Sequence, residues 1–149
     1  MPEEIFDNDV VSRIVLEPKD YENGVLDLRK SFQFSRNNEY CESVNCNRLL
    51  NNNISAIHQF GLYKQDLDHA SGRVNRMYTG YCESAVLPIR QININELAHF
   101  GVYHCIENGN NAHCHIKLNF KVQPNHRQAR TVAINKLIDC FSDLIPYIS

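Results

Sequence analysis

The sequence predicts an α+β fold: a mostly antiparallel sheet with a central hairpin over about residues 100–120, a short mid-chain helix and a long C-terminal amphipathic helix. Three observations carry this expectation. Extended segments rich in β-branched and aromatic residues recur along the chain, helical periodicity is confined to two stretches, and no regular β-α alternation links them into a parallel sheet.

Taken in order, DVVSRIVLEP has the β-branched run of a first strand and stops at Pro18. YENGVLDLRKSFQFS carries an Asn23-Gly24 turn signal, and Val25, Leu28, Phe32 and Phe34 beyond it suggest an extended or mixed segment. In NRLLNNNISAIHQFG, Leu50, Ile54, Ile57 and Phe60 approximate a helical stripe, with Gly61 as its C-terminal stop. LDHASGRVNRMYTG reads as a polar surface loop. CESAVLPIRQI is a buried strand candidate that Pro88 breaks or places at an edge, and NINELAHF fits one helical turn capped by an asparagine. Residues 100–106 and 113–120 are strands by composition, joined by the turn residues ENGNNA. The last helix starts near Pro124 and Asn125, and Ala129, Ala133, Leu137, Cys140, Phe141 and Leu144 form its apolar face.

At 149 residues, one domain spanning 1–149 is expected, and it can bury a core without metal or disulfide staples. A net charge of −2 gives no whole-protein reason to bind nucleic acid or membranes. No run approaches the roughly 18 apolar residues of a membrane span. The N-terminus, MPEEIFDNDVV, is acidic and does not resemble a secretory signal, so a cytoplasmic location is expected. The six cysteines are expected to be reduced thiols, since disulfide scaffolds are shorter and denser in cysteine. The chain's 18 asparagines, in runs such as NNN and NGNN, read as turns and caps.

Charge is distributed unevenly. Residues 1–28 hold eight acids against Arg13 and Lys19, whereas residues 108–138 hold no acid but contain Lys117, Lys121, Arg127, Arg130 and Lys136 with three histidines. Either the acidic N-terminal segment packs against the basic third, or the basic third faces an anion such as phosphate.

Four of the seven histidines lie in HFGVYHCIENGNNAHCHIKLNF, residues 99–120. Alternation along 113–120 puts His113, His115, Lys117 and Asn119 on one face and Cys114, Ile116, Leu118 and Phe120 on the other. A hairpin symmetric about Gly109 and Asn110 sets His104 opposite His115, so that three imidazoles share a face. A slip of one residue sends His104 to the other face. Such a trio could be structural, could move protons or contact an anion, or could bind zinc at an open three-histidine site. No HExxH or paired CxxC spacing accompanies it.

The remaining motifs carry less. Cys41-x4-Cys46 has no second pair at a zinc-site spacing, and alternation turns Cys114 into the apolar face. GRVNRMYTG lacks P-loop spacing and reads as a solvated loop. Arg13 stands among apolar neighbours, either on the exposed face of its strand or paired and directed into a cleft.

Arg13, Phe32 to Phe34, ESVN at 42–45 and NNAHCHI at 110–116 together resemble a loosely defined group of short, uncharacterised bacterial proteins. That group carries an early arginine, an S-V-[ND] stretch and a late N-x-A-H-x-x-I motif. The matching positions here are Arg13, Ser43, Asn45, Asn111, His113 and Ile116, with Asn111 standing where the group carries proline. The resemblance implies a bacterial single-domain protein and no particular reaction.

The function expected is a histidine-dependent enzyme acting on a phosphate-bearing substrate (a nucleotide, RNA or an ADP-ribosyl donor), with a toxin- or defence-related setting. The alternative is a non-enzymatic interaction subunit of a multi-component bacterial system, with a protein partner from the same operon. Candidate catalytic residues are His113, His115 and His104. Candidate substrate contacts are Arg13, Asn111, Lys117, Arg127 and Arg130. The expected ligand is an anionic small molecule or RNA, with no membrane partner and no cofactor; zinc is the cofactor alternative.

Overall fold

A computed structural model describes residues 2–107, 109–120 and 127–148. Strand β1 (Val10–Glu17) is followed by the small ladder of β2 (Tyr21–Glu22) and β3 (Val25–Leu26), which turns at Asn23-Gly24. The one-turn helix α1 (Leu28–Ser31) leads to β4 (Cys41–Cys46), and α2 (Ile54–Ala70) to β5 (Met77–Ala85). After them come α3 (Val86–Arg90), β6 (Asn93–Ile94), β7 (Ala98–His104), β8 (His113–Phe120), α4 (Arg127–Cys140) and β9 (Ile145–Pro146). Seven strands form one antiparallel sheet in the order β6-β7-β8-β4-β1-β5-β9. The fold is therefore α+β, as the segment pattern predicts, with the 100–120 hairpin forming β7 and β8.

The two faces of the sheet differ because each strand alternates. On one face Val11, Val15, Val44, Cys82, Val102, Cys114, Ile116 and Leu118 are buried in a common core with Ala129, Ala133 and Leu137 of α4. The four-residue spacing of these α4 positions is the apolar stripe that seats the helix on the sheet. Phe32 and Phe34 enter the same core, with ring centroids 6.0 Å apart. Helix α2 covers the β1–β5 half of the other face, where His58 packs on Tyr78 and Tyr81.

Several elements depart from the sequence-based expectation for identifiable reasons. Helix α2 does not stop at Gly61 but runs to Ala70, taking in LDHA from the expected loop. Gly61 lies where a Cβ would overlap the Tyr78 ring, so glycine here permits a close helix–strand approach. Gly72, with φ of +94°, sits just beyond the helix end, where its amide donates to the His69 carbonyl. The 82–92 strand candidate divides into the end of β5 and α3, and Pro88 falls in the first turn, where no amide is needed. NINELAHF forms no helix; Asn95 and Glu96 take positive φ in a tight turn between β6 and β7, and Asn93 Oδ1 accepts from the Glu96 amide at 2.8 Å. The expected start of the last helix at Pro124 and Asn125 lies outside the described residues.

Asp9 pairs with Arg48 and Asp7 with Arg90, both at 2.8 Å, and among the described residues no ion pair joins the N-terminal acids to the basic C-terminal third. All six cysteines are free thiols. Among the described residues, no helix is long and apolar enough to cross a membrane.

Candidate functional site

The hairpin register decides which histidines meet. Tyr103 pairs with His115 and His104 with Cys114, one residue away from the symmetric register. This slip places His104 on the Cys114 side, so the expected trio of His104, His113 and His115 does not form. His104 instead latches the N-terminus to the turn: Nε2–H donates to the Asn111 carbonyl at 2.6 Å and Nδ1 accepts from the Glu3 amide at 2.6 Å. Cys105, the next residue, takes the third place. Donor atoms of Cys105, His113 and His115 lie within 4.8 Å of one another, so these three residues could hold a metal ion. Alternation alone does not single out Cys105, because its place beside His113 depends on the same register.

Strand β4 supplies the facing wall, with Ser43 opposite His115 and Asn45 opposite His113. His113 is 5% exposed. Its Nδ1 lies 2.9 Å from the Cys105 carbonyl, which can only accept, so Nδ1 carries a proton and Nε2 points to Ser43 Oγ at 3.0 Å. A carboxylate oxygen of Glu107 lies 3.2 Å from the same Nε2. The ring of His115 stands edge-on, with centroids 4.9 Å apart. Burial, with a smaller push from His113, lowers the pKa of His115 below its ordinary value, against an opposing pull from Glu107. Behind these groups Asn110 fixes the turn: Nδ2 donates to Asn45 Oδ1 at 2.9 Å and Oδ1 accepts from the Ala112 amide at 3.0 Å.

Ser43, His113 and His115 line a cleft of about 630 Å³ between the sheet and α2. Phe60 and Lys64 of α2, with Arg73 and Arg76 from the segment after it, line the same cleft, and Lys19 joins them. Arg73 and Arg76 share the buried carboxylate of Asp68 at 3.3 and 3.4 Å. One carboxylate thus faces two guanidinium groups; Lys64 adds positive charge, and Glu39, Glu42 and Glu107 line the same cleft with negative charge. GRVNRMYTG lacks phosphate-loop spacing and by sequence is a solvated loop. Its arginines gain a role only because α2 runs a full turn and more past Gly61 and delivers them to the cleft mouth.

The other expected substrate contacts are differently placed. Arg13 lies on the core face yet also lines the cleft, its side chain 12% exposed, and its guanidinium makes four hydrogen bonds to protein groups. Nε donates to Ser31 Oγ at 2.8 Å, Nη2 to the Ser31 carbonyl at 2.6 Å and to Glu42 at 3.3 Å, and Nη1 to the Ser43 carbonyl at 2.6 Å. Arg13 therefore ties the strand that carries Ser43 to the Ser31 segment, with four of its five donors bound to protein groups. Arg127 and Arg130 lie on α4, whose buried face packs on the opposite side of the sheet. Asn111 is exposed at the turn and takes part through its backbone carbonyl. Lys117 pairs opposite Cys41 on the His115 side, two residues farther along β8.

In chemical terms the arrangement is a hydroxyl, an imidazole within hydrogen-bond reach, and a backbone carbonyl that fixes the imidazole tautomer. Those are the parts of a base-activated nucleophile. No family model, curated protein sequence or solved structure matches the chain.

Proposed function

We propose that the protein is a histidine-dependent enzyme that acts on a phosphate-bearing substrate, with Ser43 as nucleophile and His113 as its general base. The single observation behind this reading is the 3.0 Å contact between Ser43 Oγ and His113 Nε2, with Nδ1 locked onto the Cys105 carbonyl at 2.9 Å. As Ser43 Oγ attacks phosphorus, its proton passes to Nε2. The leaving alcohol then takes that proton, and water hydrolyses the phosphoserine with His113 again as base. Lys64, Arg73 and Arg76 supply the positive charge that draws the phosphate into the cleft. His115 borders the reacting atoms and contributes a second, weakly basic imidazole.

Turnover of bis(p-nitrophenyl) phosphate tests this. Ser43→Ala and His113→Gln should each lower kcat/KM by about 100-fold or more, with little change in melting temperature. A Ser43→Ala variant as active as the wild type would refute the assignment.

A further inference from the structure

We propose that Cys105, His113 and His115 bind a thiophilic divalent metal ion of the zinc class, which competes with Ser43 for His113 Nε2. Three side chains offer one sulfur and two ring nitrogens within 4.8 Å of one another. A tetrahedral zinc ion with bonds of about 2.0–2.3 Å spaces its donors roughly 3.3–3.8 Å apart, so closing the site needs a shift of about 1 Å. Cys105 and His115 are only half-buried, and Cys105 lies just past the end of β7, where such a shift meets little resistance. One thiolate with imidazoles selects zinc-like ions over magnesium or calcium, which require oxygen donors.

His113 is already oriented as a ligand. Its Nδ1–H is held by a backbone carbonyl, the outer-shell bond that fixes a metal-bound imidazole and leaves Nε2 for the ion. The carbonyl belongs to Cys105, so one residue supplies both a ligand and the orienting bond of another. Glu107 places a carboxylate oxygen 3.2 Å from Nε2, a separation suited to two donors on a single ion, and it is exposed enough to swing in as fourth ligand. Four protein ligands make a closed site with no position for an activated water. The ion thus blocks the dyad rather than driving hydrolysis. That consequence rests on the Ser43–His113 reading; the binding itself does not.

Cobalt(II) titration of the full chain tests the site. One Co²⁺ per chain should bind with a thiolate-to-cobalt charge-transfer band and strong tetrahedral ligand-field bands. Cys105→Ser should abolish the first and His115→Gln should weaken the second. Absence of the charge-transfer band at equimolar cobalt, or its persistence in Cys105→Ser, would overturn the proposal. In parallel, an alkyl fluorophosphonate reports the dyad: Ser43 Oγ displaces fluoride from phosphorus and its proton passes to His113. Equimolar zinc should slow this labelling at least tenfold, and EDTA should restore it. Cobalt binding by a chain that never reacts with the probe would support the metal site and sink the dyad reading. Labelling that zinc leaves unchanged despite binding would sink the competition.

Discussion

Replacing Arg13 with Met keeps the apolar stem over Phe32 but removes a guanidinium whose carbon lies 4.9 Å from that ring centroid. Glu42, whose side chain is 10% exposed, then loses its guanidinium partner and keeps the amides of Gln33 and Phe34 at 3.0 and 2.8 Å. The carbonyls of Ser31 and Ser43 each lose a bond of 2.6 Å. Bonds to charged groups contribute about 1.5–3 kcal/mol, and breaking a buried ion pair costs about 3–5 kcal/mol. The retained amides and residual solvent access point to the lower end, about 3 kcal/mol. For a chain of this size that is roughly 10 °C in melting temperature. Urea unfolding of R13M, E42Q and the double variant gives the coupling, expected at about 1–2 kcal/mol. An R13M midpoint within about 1 kcal/mol of wild type, at unchanged m, would refute the assignment of Arg13 to the wall rather than to substrate.

Gly61→Ala should destabilise by about 1–3 kcal/mol, because overlap with the Tyr78 ring outweighs the gain in helix propensity; a raised melting temperature would contradict this. Burial lowers the pKa of His58, whose Nδ1 lies 2.7 Å from the Tyr78 hydroxyl. The unfolded chain therefore takes up this proton more readily, so stability present above pH about 6.5 is lost as pH falls through the depressed folded pKa. Urea midpoints at pH 7.5 and 5 should differ less in His58→Phe than in wild type. Lys64→Ala should raise KM for a phosphodiester several-fold with kcat nearly unchanged, checked by initial rates.

The sheet and the last helix were legible in the sequence because their burial patterns are local: Cys114, Ile116 and Leu118 alternate along β8, and Ala129, Ala133 and Leu137 recur along α4. The identity of the third side chain beside His113 and His115 was not local. It depended on a one-residue difference in hairpin register, which exchanged His104 for Cys105. Ser43 and His113 were both singled out by the motif resemblance, but they lie 70 residues apart and their contact arises from the pairing of β4 with β8. Arg13 illustrates the opposite difficulty. Alternation puts it on the core face, and only the position of the Ser31–Phe34 segment reveals that its charge is paired with Glu42 there. The cleft cations stayed hidden because Gly61 looks like a helix stop until Tyr78 is seen against it.

The most direct test of the Ser43–His113 assignment is covalent labelling of the intact chain with a fluorophosphonate, followed by peptide mass mapping. A single phosphonyl adduct is expected on Ser43, absent in Ser43→Ala and formed at least 100-fold more slowly in His113→Gln, as loss of a general base requires. An adduct on another residue, or labelling of His113→Gln at the wild-type rate, would contradict it.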